Sequence, residues 1–237
     1  MRQAALFLAL VFVTATAFAQ TNANLFSIGP RVSSFSTDLD DVNAFTTIKT
    51  GRASSFGLIG DVRASGGLVF DWRYDHDTSD GLSPIATIVD VSDFRRDSGE
   101  VTIGYELADI VDLQAGVRLD SFSVGGATFL GTNLVTDLDV DHQALAAGIK
   151  IHTPPGQRLG FYVLGRGYVG TAKFHDDSGR TDGDTSGYRG EAAVIIPLGE
   201  SNWHLTPGVE YDHIETKNFG FRMNTNRFFL GFVYTSR

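Results

Sequence analysis

The stretch that decides the fold is Thr225-Asn226-Arg227-Phe228-Phe229-Leu230-Gly231-Phe232-Val233-Tyr234-Thr235. Successive side chains of an extended chain point to opposite sides. Phe228, Leu230, Phe232 and Tyr234 therefore share one side, and Arg227, Phe229, Gly231, Val233 and Thr235 share the other. This is a strand with one strongly apolar face.

Working outward, the same period of two recurs. Phe26, Ile28, Pro30 and Val32 alternate with Ser27, Gly29, Arg31 and Ser33. Phe56, Leu58, Gly60 and Val62 oppose Gly57, Ile59, Asp61 and Arg63, and Leu68, Phe70, Trp72 and Tyr74 oppose Val69, Asp71, Arg73 and Asp75. Val101, Ile103, Tyr105 and Leu107 oppose Glu100, Thr102, Gly104 and Glu106. Val111, Leu113, Ala115, Val117 and Leu119 oppose Asp112, Gln114, Gly116, Arg118 and Asp120. The second half is less clean. Leu145, Ala147, Ile149 and Ile151 face away from Ala144, Ala146, Gly148 and Lys150, and Phe161, Val163 and Val169 from Tyr162, Leu164, Arg166 and Tyr168. Tyr188, Ala192, Val194 and Ile196 oppose Arg189, Glu191 and Ala193, and Trp203, Leu205, Val209 and Tyr211 oppose His204, Thr206, Glu210 and Asp212. The alternation predicts an all-β chain of about ten strands and no amphipathic helix. Eight is the alternative, if the seventh or eighth segment pairs differently or the first lies outside the wall.

The connections carry a second signal. Short ones (64–67, 108–110, 152–158, 197–202) alternate with longer ones (37–53, 76–98, 125–138, 176–186, 217–224). Pro154-Pro155-Gly156 reads as a tight turn.

At the start, Met1-Arg2, an apolar run from Ala4 to Phe18 and Ala17-Phe18-Ala19 before Gln20 read as a secretory signal peptide cut after Ala19. Its apolar run is shorter than the ~20 residues of a spanning helix. The expected mature part, 20–237, is one domain. The formal net charge of −9 argues against a nucleic-acid partner, which calls for a basic stripe. The chain has no cysteine, so neither disulfides nor a lipidated cysteine arise.

The alternation, the aromatic closing strand and the short-long alternation of connections together resemble bacterial outer-membrane β-barrel proteins. In that family the chain usually stops at the final aromatic, whereas Thr235-Ser236-Arg237 follow Tyr234 here. The resemblance implies a transmembrane antiparallel up-and-down barrel with short periplasmic turns and long extracellular loops. It also implies insertion by the barrel-assembly machinery and contact with outer-membrane lipid and lipopolysaccharide. The soluble alternative is a lipocalin-like barrel with its apolar face inward.

If the apolar faces meet lipid, the lumen receives Arg31, Asp61, Arg63, Asp71, Arg73, Asp75, Glu100, Glu106, Asp112, Arg118, Asp120, Lys150, Arg166, Arg189, Glu191, Glu210, Asp212 and Arg227. A selective pore calls for rings of one sign. Mixed, nearly balanced charges in a narrow barrel point instead to a salt-bridged polar core. Trp72, Tyr74, Tyr105, Tyr162, Tyr188, Trp203, Tyr211 and Tyr234, near strand ends, suit interfacial girdles.

Four stretches carry residues suited to chemistry. Asp75 and Asp77, with His175 and Asp177, resemble in reversed order the Asp pair and Asp/His pair of the omptins, ten-stranded outer-membrane proteases. Gly165-Arg166-Gly167-Tyr168-Val169-Gly170 fits a dinucleotide fingerprint, but inside a strand, where small residues easing wall packing are the better account. Asp182-Gly183-Asp184-Thr185-Ser186-Gly187 matches half a calcium loop, with Ala193 where the closing glutamate belongs. Asp38, Asp40, Asp41, Asp80, Asp90, Asp93, Asp97, Asp137, Asp139, Asp176 and Asp177 crowd the expected loops, where they could bind divalent cations shared with anionic lipid. The expectation is a non-enzymatic barrel without cofactor or metal, in a structural, adhesive or envelope-stabilising role. The alternatives are a narrow channel for small solutes and a rim-sited, omptin-like hydrolase. Nothing in the sequence sets the oligomeric state.

Overall fold

The structure, a computed structural model, describes residues 23–41, 46–50, 53–79, 82–84, 89–129, 132–154, 159–176, 179–217 and 220–236. The expected signal peptide lies outside them, as do Asp80, Asp177, Pro155 and Gly156. Twelve strand segments follow one another: β1 (Ala23–Asp41), β2 (Thr46–Thr50), β3 (Ala53–Ala64), β4 (Leu68–Ser79), β5 (Leu82–Pro84) and β6 (Val89–Leu107), then β7 (Val111–Phe129), β8 (Thr132–His152), β9 (Gly160–Asp176), β10 (Gly179–Pro197), β11 (Trp203–Thr216) and β12 (Phe221–Ser236). Each pairs antiparallel with its neighbours, and β12 returns to pair with β1 from Phe26↔Ser236 to Asp41↔Phe221. The sheet is thus closed and leaves no long edge.

The twelve segments make ten wall strands. β2 pairs with the far end of β1, as Asp38↔Lys49, above the place where β3 pairs with β1 as Phe35↔Ala53. β5 likewise continues β4. Ser54↔Thr78 in the β3–β4 pair and Ile48↔Pro84 in the β2–β5 pair lie in one unbroken register. Against β1 the register slips by one residue between β3 and β2, the signature of a bulge. The closed barrel has ten strands, not eight.

The short connections fall at one end, where both termini of the barrel also lie. In the three-residue Leu107-to-Val111 connection, Ala108 and Asp109 stand at φ 55° and 59°, the left-handed values that both central residues of a type I′ turn need. At the other end the expected long loops are largely strand, which corrects the sequence reading. β7 and β8 run on to Phe129 and Thr132, and β6 begins at Val89.

Two zones result. In the belt next to the short turns, Ile28, Val32, Phe56, Ile103, Leu113, Leu145, Ile149, Phe161, Val169, Phe228 and Leu230 stand exposed on the outer face while arginines and carboxylates are buried inside. In the extended crown the faces exchange roles. Phe35, Leu39, Phe94, Phe122, Val140, Ala172, Ile214 and Met223 form a buried cluster in the lumen, with Val124, Leu138, Phe174 and Phe221 packed against it. Asp38, Asp40, Asp93, Arg95, Asp97, Asp139, Lys173 and Arg222 alternate with them and so face outward. One patch of the belt face carries Val62, Phe70, Trp72 and Val101 clustered on the side opposite the arginines. Gly60 is required there, because a Cβ would fall 2.2 Å from the Trp72 ring.

Candidate functional site

A ten-stranded wall brings to its axis side chains far apart in sequence, and the belt lumen is cross-braced by ion pairs between strands that are not neighbours. Arg118 on β7 donates to both oxygens of Asp212 on β11, at 2.8 and 2.6 Å, and through Nε to Asp120 at 2.7 Å. Arg96 on β6 reaches the same two carboxylates at 2.9 and 2.7 Å. Arg31 on β1 pairs with Glu210 on β11 at 2.6 Å, and Arg73 on β4 spans to Glu191 on β10 at 2.8 Å. Arg227 on β12 grips Asp77 on β4 with two parallel bonds of 2.9 and 2.7 Å, the fork geometry that suits guanidinium to carboxylate. Glu100 on β6 receives Arg189 at 2.7 Å, Tyr168 at 2.9 Å, and Arg166. Asp75 lies among Arg73, Arg31 and Arg227. Arg31 Cζ also lies over the Phe229 ring, 3.7 Å from its centroid, and Arg118 Cζ lies 4.5 Å over that of Tyr168.

Nearer the short turns, Arg63 holds Asp112 by two bonds of 3.2 and 2.8 Å and lies 3.4 Å from Asp61 and 3.1 Å from Glu106. Lys150 donates to Asp71 at 3.0 Å. Glu106, Asp112 and His152 converge closely enough to hold a metal ion. The Arg63 guanidinium stands among them, with Nη1 3.3 Å from His152 Nε2. His152 Nδ1 lies 3.0 Å from the Thr153 carbonyl, which can only accept. Nδ1 therefore donates to it, and Nε2 lies 3.3 Å from Asp112 Oδ1 as well as from Arg63 Nη1. The cation of this set is the arginine.

All the charged residues expected to face the lumen lie on its wall, and each takes part in an ion pair. Sequence reasoning missed Asp77 and Arg96 as members because 76–98 read as a loop, and His142 because the strand that holds it was read only from Ala144 on. His142 joins Asp120 at 2.8 Å and Thr185 at 3.1 Å. Carboxylate, imidazole and hydroxyl thus follow one another as in a nucleophile triad. His142 and Thr185 are only 2% and 4% exposed and lie beneath the apolar crown, so the chain of bonds is a structural one.

Among the described residues, the omptin-like pairing is not assembled. Asp75 and Asp77 are clamped by arginines inside the lumen. His175 lies on the opposite side of the wall, alternating with inward Ala172 and Phe174. Tyr162, expected in a girdle, points inward and donates to Glu191. Gly165 and Gly167 face open space, so close packing does not explain them; only Gly170 meets a neighbour, with a Cβ there 2.0 Å from the Gln143 carbonyl. The half calcium loop lies within β10, where Arg180 pairs with Asp182 at 3.3 Å.

A repeat legible in the sequence went unread. Tyr-Asp-His occurs as Tyr74-Asp75-His76 and again as Tyr211-Asp212-His213. In each copy the aspartate enters the lumen brace while the tyrosine and histidine face outward. His76 lies opposite Asp97 and His213 opposite Asn224, and that cross-strand oxygen takes both outer groups. Tyr211 donates to Asn224 at 3.0 Å and His213 Nδ1 lies 2.7 Å away. Tyr74 donates to Asp97, with His76 Nδ1 at 2.9 Å. Both knots lie where the apolar belt gives way to the polar crown, and Tyr188 packs 5.0 Å from His213.

No protein-family model matches the sequence, and no curated protein matches it. Solved structures do. The outer membrane protease OmpT from Escherichia coli superposes with a TM-score of 0.53 at 9% identity, over 90% of this chain and 97% of that one. The translocator domain of the autotransporter NalP from Neisseria meningitidis gives 0.50 at 11% identity, over 97% and 95%. At such identities the likeness is one of architecture: the chain has the fold of the small outer-membrane β-barrel proteins.

Proposed function

We propose that this chain is a closed, non-enzymatic outer-membrane barrel, exported by a cleaved signal peptide, that serves the envelope as a rigid structural or adhesive surface element. The observation that supports this is the lumen itself, which is obstructed twice in succession. Paired charges cross the belt, and an apolar cluster fills the crown. A conducting pore needs continuous water and a lining that binds its ion weakly. Arg118 and Asp120 are instead fully buried and saturated by partners. The apolar outer belt, which water would not tolerate on this scale, supports placement in a bilayer. The polar crown then projects beyond it, with Asp38, Asp40, Asp93, Asp97 and Asp139 on the outer face.

The test is single-channel recording of the refolded protein in planar bilayers. Wild type stays silent, and Arg118→Ala together with Phe94→Ala opens a current. Stable wild-type openings would replace this reading with the narrow-channel one. Gradient fractionation of cells separately checks the compartment.

A further inference from the structure

Below the braces the lumen is not filled. A cavity of about 230 Å³ lies at the short-turn end, bounded by Leu25, Thr153, Pro154, Gly160 and Thr235 near its mouth. Its two sides differ. Leu25, Ile59, Leu164, Ile195 and Val233, from the β9–β12–β1–β3 arc, give an apolar wall. Lys150 and Asp71, from β8 and β4, stand across from it, with Arg166 and Arg63 from the strands that border the arc, β9 and β3.

The polar wall is biased toward cations. The cavity is lined by Arg31, Arg63, Arg73, Lys150 and Arg166 against Asp61, Asp71 and Glu191. Glu100, Asp112 and Glu210, which balance those arginines, sit behind them and do not line it. Hydrogen-bonding capacity has the same sign. Among the described residues of the wall, Arg31 Nε and Nη1, Arg73 Nη2, Arg166 Nε and His204 Nδ1 are buried without a hydrogen-bond partner, while no carboxylate oxygen on the wall is left so. The nearest carboxylate to Arg31 Nη1 is Glu191 at 3.6 Å.

We propose that this cavity binds a small amphiphilic anion, a medium-chain carboxylate. Its head lies against the Lys150–Arg166 wall and its tail against Ile59, Ile195 and Val233. A dry cavity of about 150 Å³ takes the six heavy atoms of benzene, so one of about 230 Å³ takes about nine or ten. The braces above close the route onward, so the site is a cup filled and emptied at the short-turn end. The inference goes beyond the closed-barrel reading and fails separately from it: a conducting wild type would end that reading and leave a saturable binding curve standing.

The probe is sodium octanoate, titrated calorimetrically into the refolded barrel in non-ionic detergent, with octylammonium chloride as the matched cation. Heat-modifiable gel mobility reports folding of every variant. Octanoate saturates at one site and octylammonium does not bind. Ile195→Trp, which fills the tail side, weakens octanoate at least tenfold, and Val233→Phe serves if that variant does not fold. Ile149→Trp, on the outer face, changes nothing. Equal or tighter binding of octylammonium would overturn the proposal. So would an unchanged octanoate curve in Ile195→Trp or Val233→Phe, since uptake into the detergent belt would then explain it.

Discussion

Belt and crown are built from the same strands, and their faces are exchanged. On β9, Val169 is exposed outward while Arg166 is buried inside; a few residues on, Lys173 faces outward and Ala172 is buried inside. Alternation of side chains is common to both zones, but what surrounds the wall decides which face carries the carbon. Next to hydrocarbon the apolar face turns out, and the lumen must be satisfied by paired charge. Next to water the apolar face turns in, and the lumen becomes an ordinary packed core.

Five substitutions sharpen or break that contrast. The largest effect is expected for Arg118→Ala, which leaves Asp120 and Asp212 buried without their main partner. Loss of one member of such a pair costs about 3–5 kcal/mol, read as a lower urea midpoint in detergent. Val169→Arg puts a charge on the belt face and costs about 2–4 kcal/mol if Val169 lies near the bilayer midplane. A shift as small as that of a crown substitution would remove Val169 from lipid. Tyr211→Phe breaks one hydrogen bond of the outer knot, about 1 kcal/mol by the same measurement, and Tyr74→Phe should match it if the two Tyr-Asp-His copies are equivalent. Lys173→Leu, on the crown exterior, stays within about 0.5 kcal/mol.

The exchange of faces also explains what could be read from the sequence. In the belt, apolar and charged residues alternate with contrast on both sides of the wall, and Arg31, Arg118 and Glu210 could be placed in the lumen from spacing alone. In the crown the contrast is weaker and reversed. Asp93, Phe94, Arg95, Arg96 and Asp97 read as a charged loop, although Phe94 is a buried core residue and Arg96 a brace. Asp77 went the same way. Its role depends on Arg227, which is distant in sequence and near only through barrel closure. The Tyr-Asp-His repeat was visible, but its meaning rests on the cross-strand Asp97 and Asn224, which only register supplies.

The braces bear on how the barrel is made. Arg31 meets Glu210 across 179 residues of sequence, and Arg227 meets Asp77 across 150. A partly built sheet therefore holds arginines and carboxylates with no partner, and they remain in water until the last strand docks. Contacts of such long range make closure slow and concerted. Dehydration of the lumen, pairing of its charges and joining of β1 to β12 become one event, which leaves little room for a stable half-closed barrel.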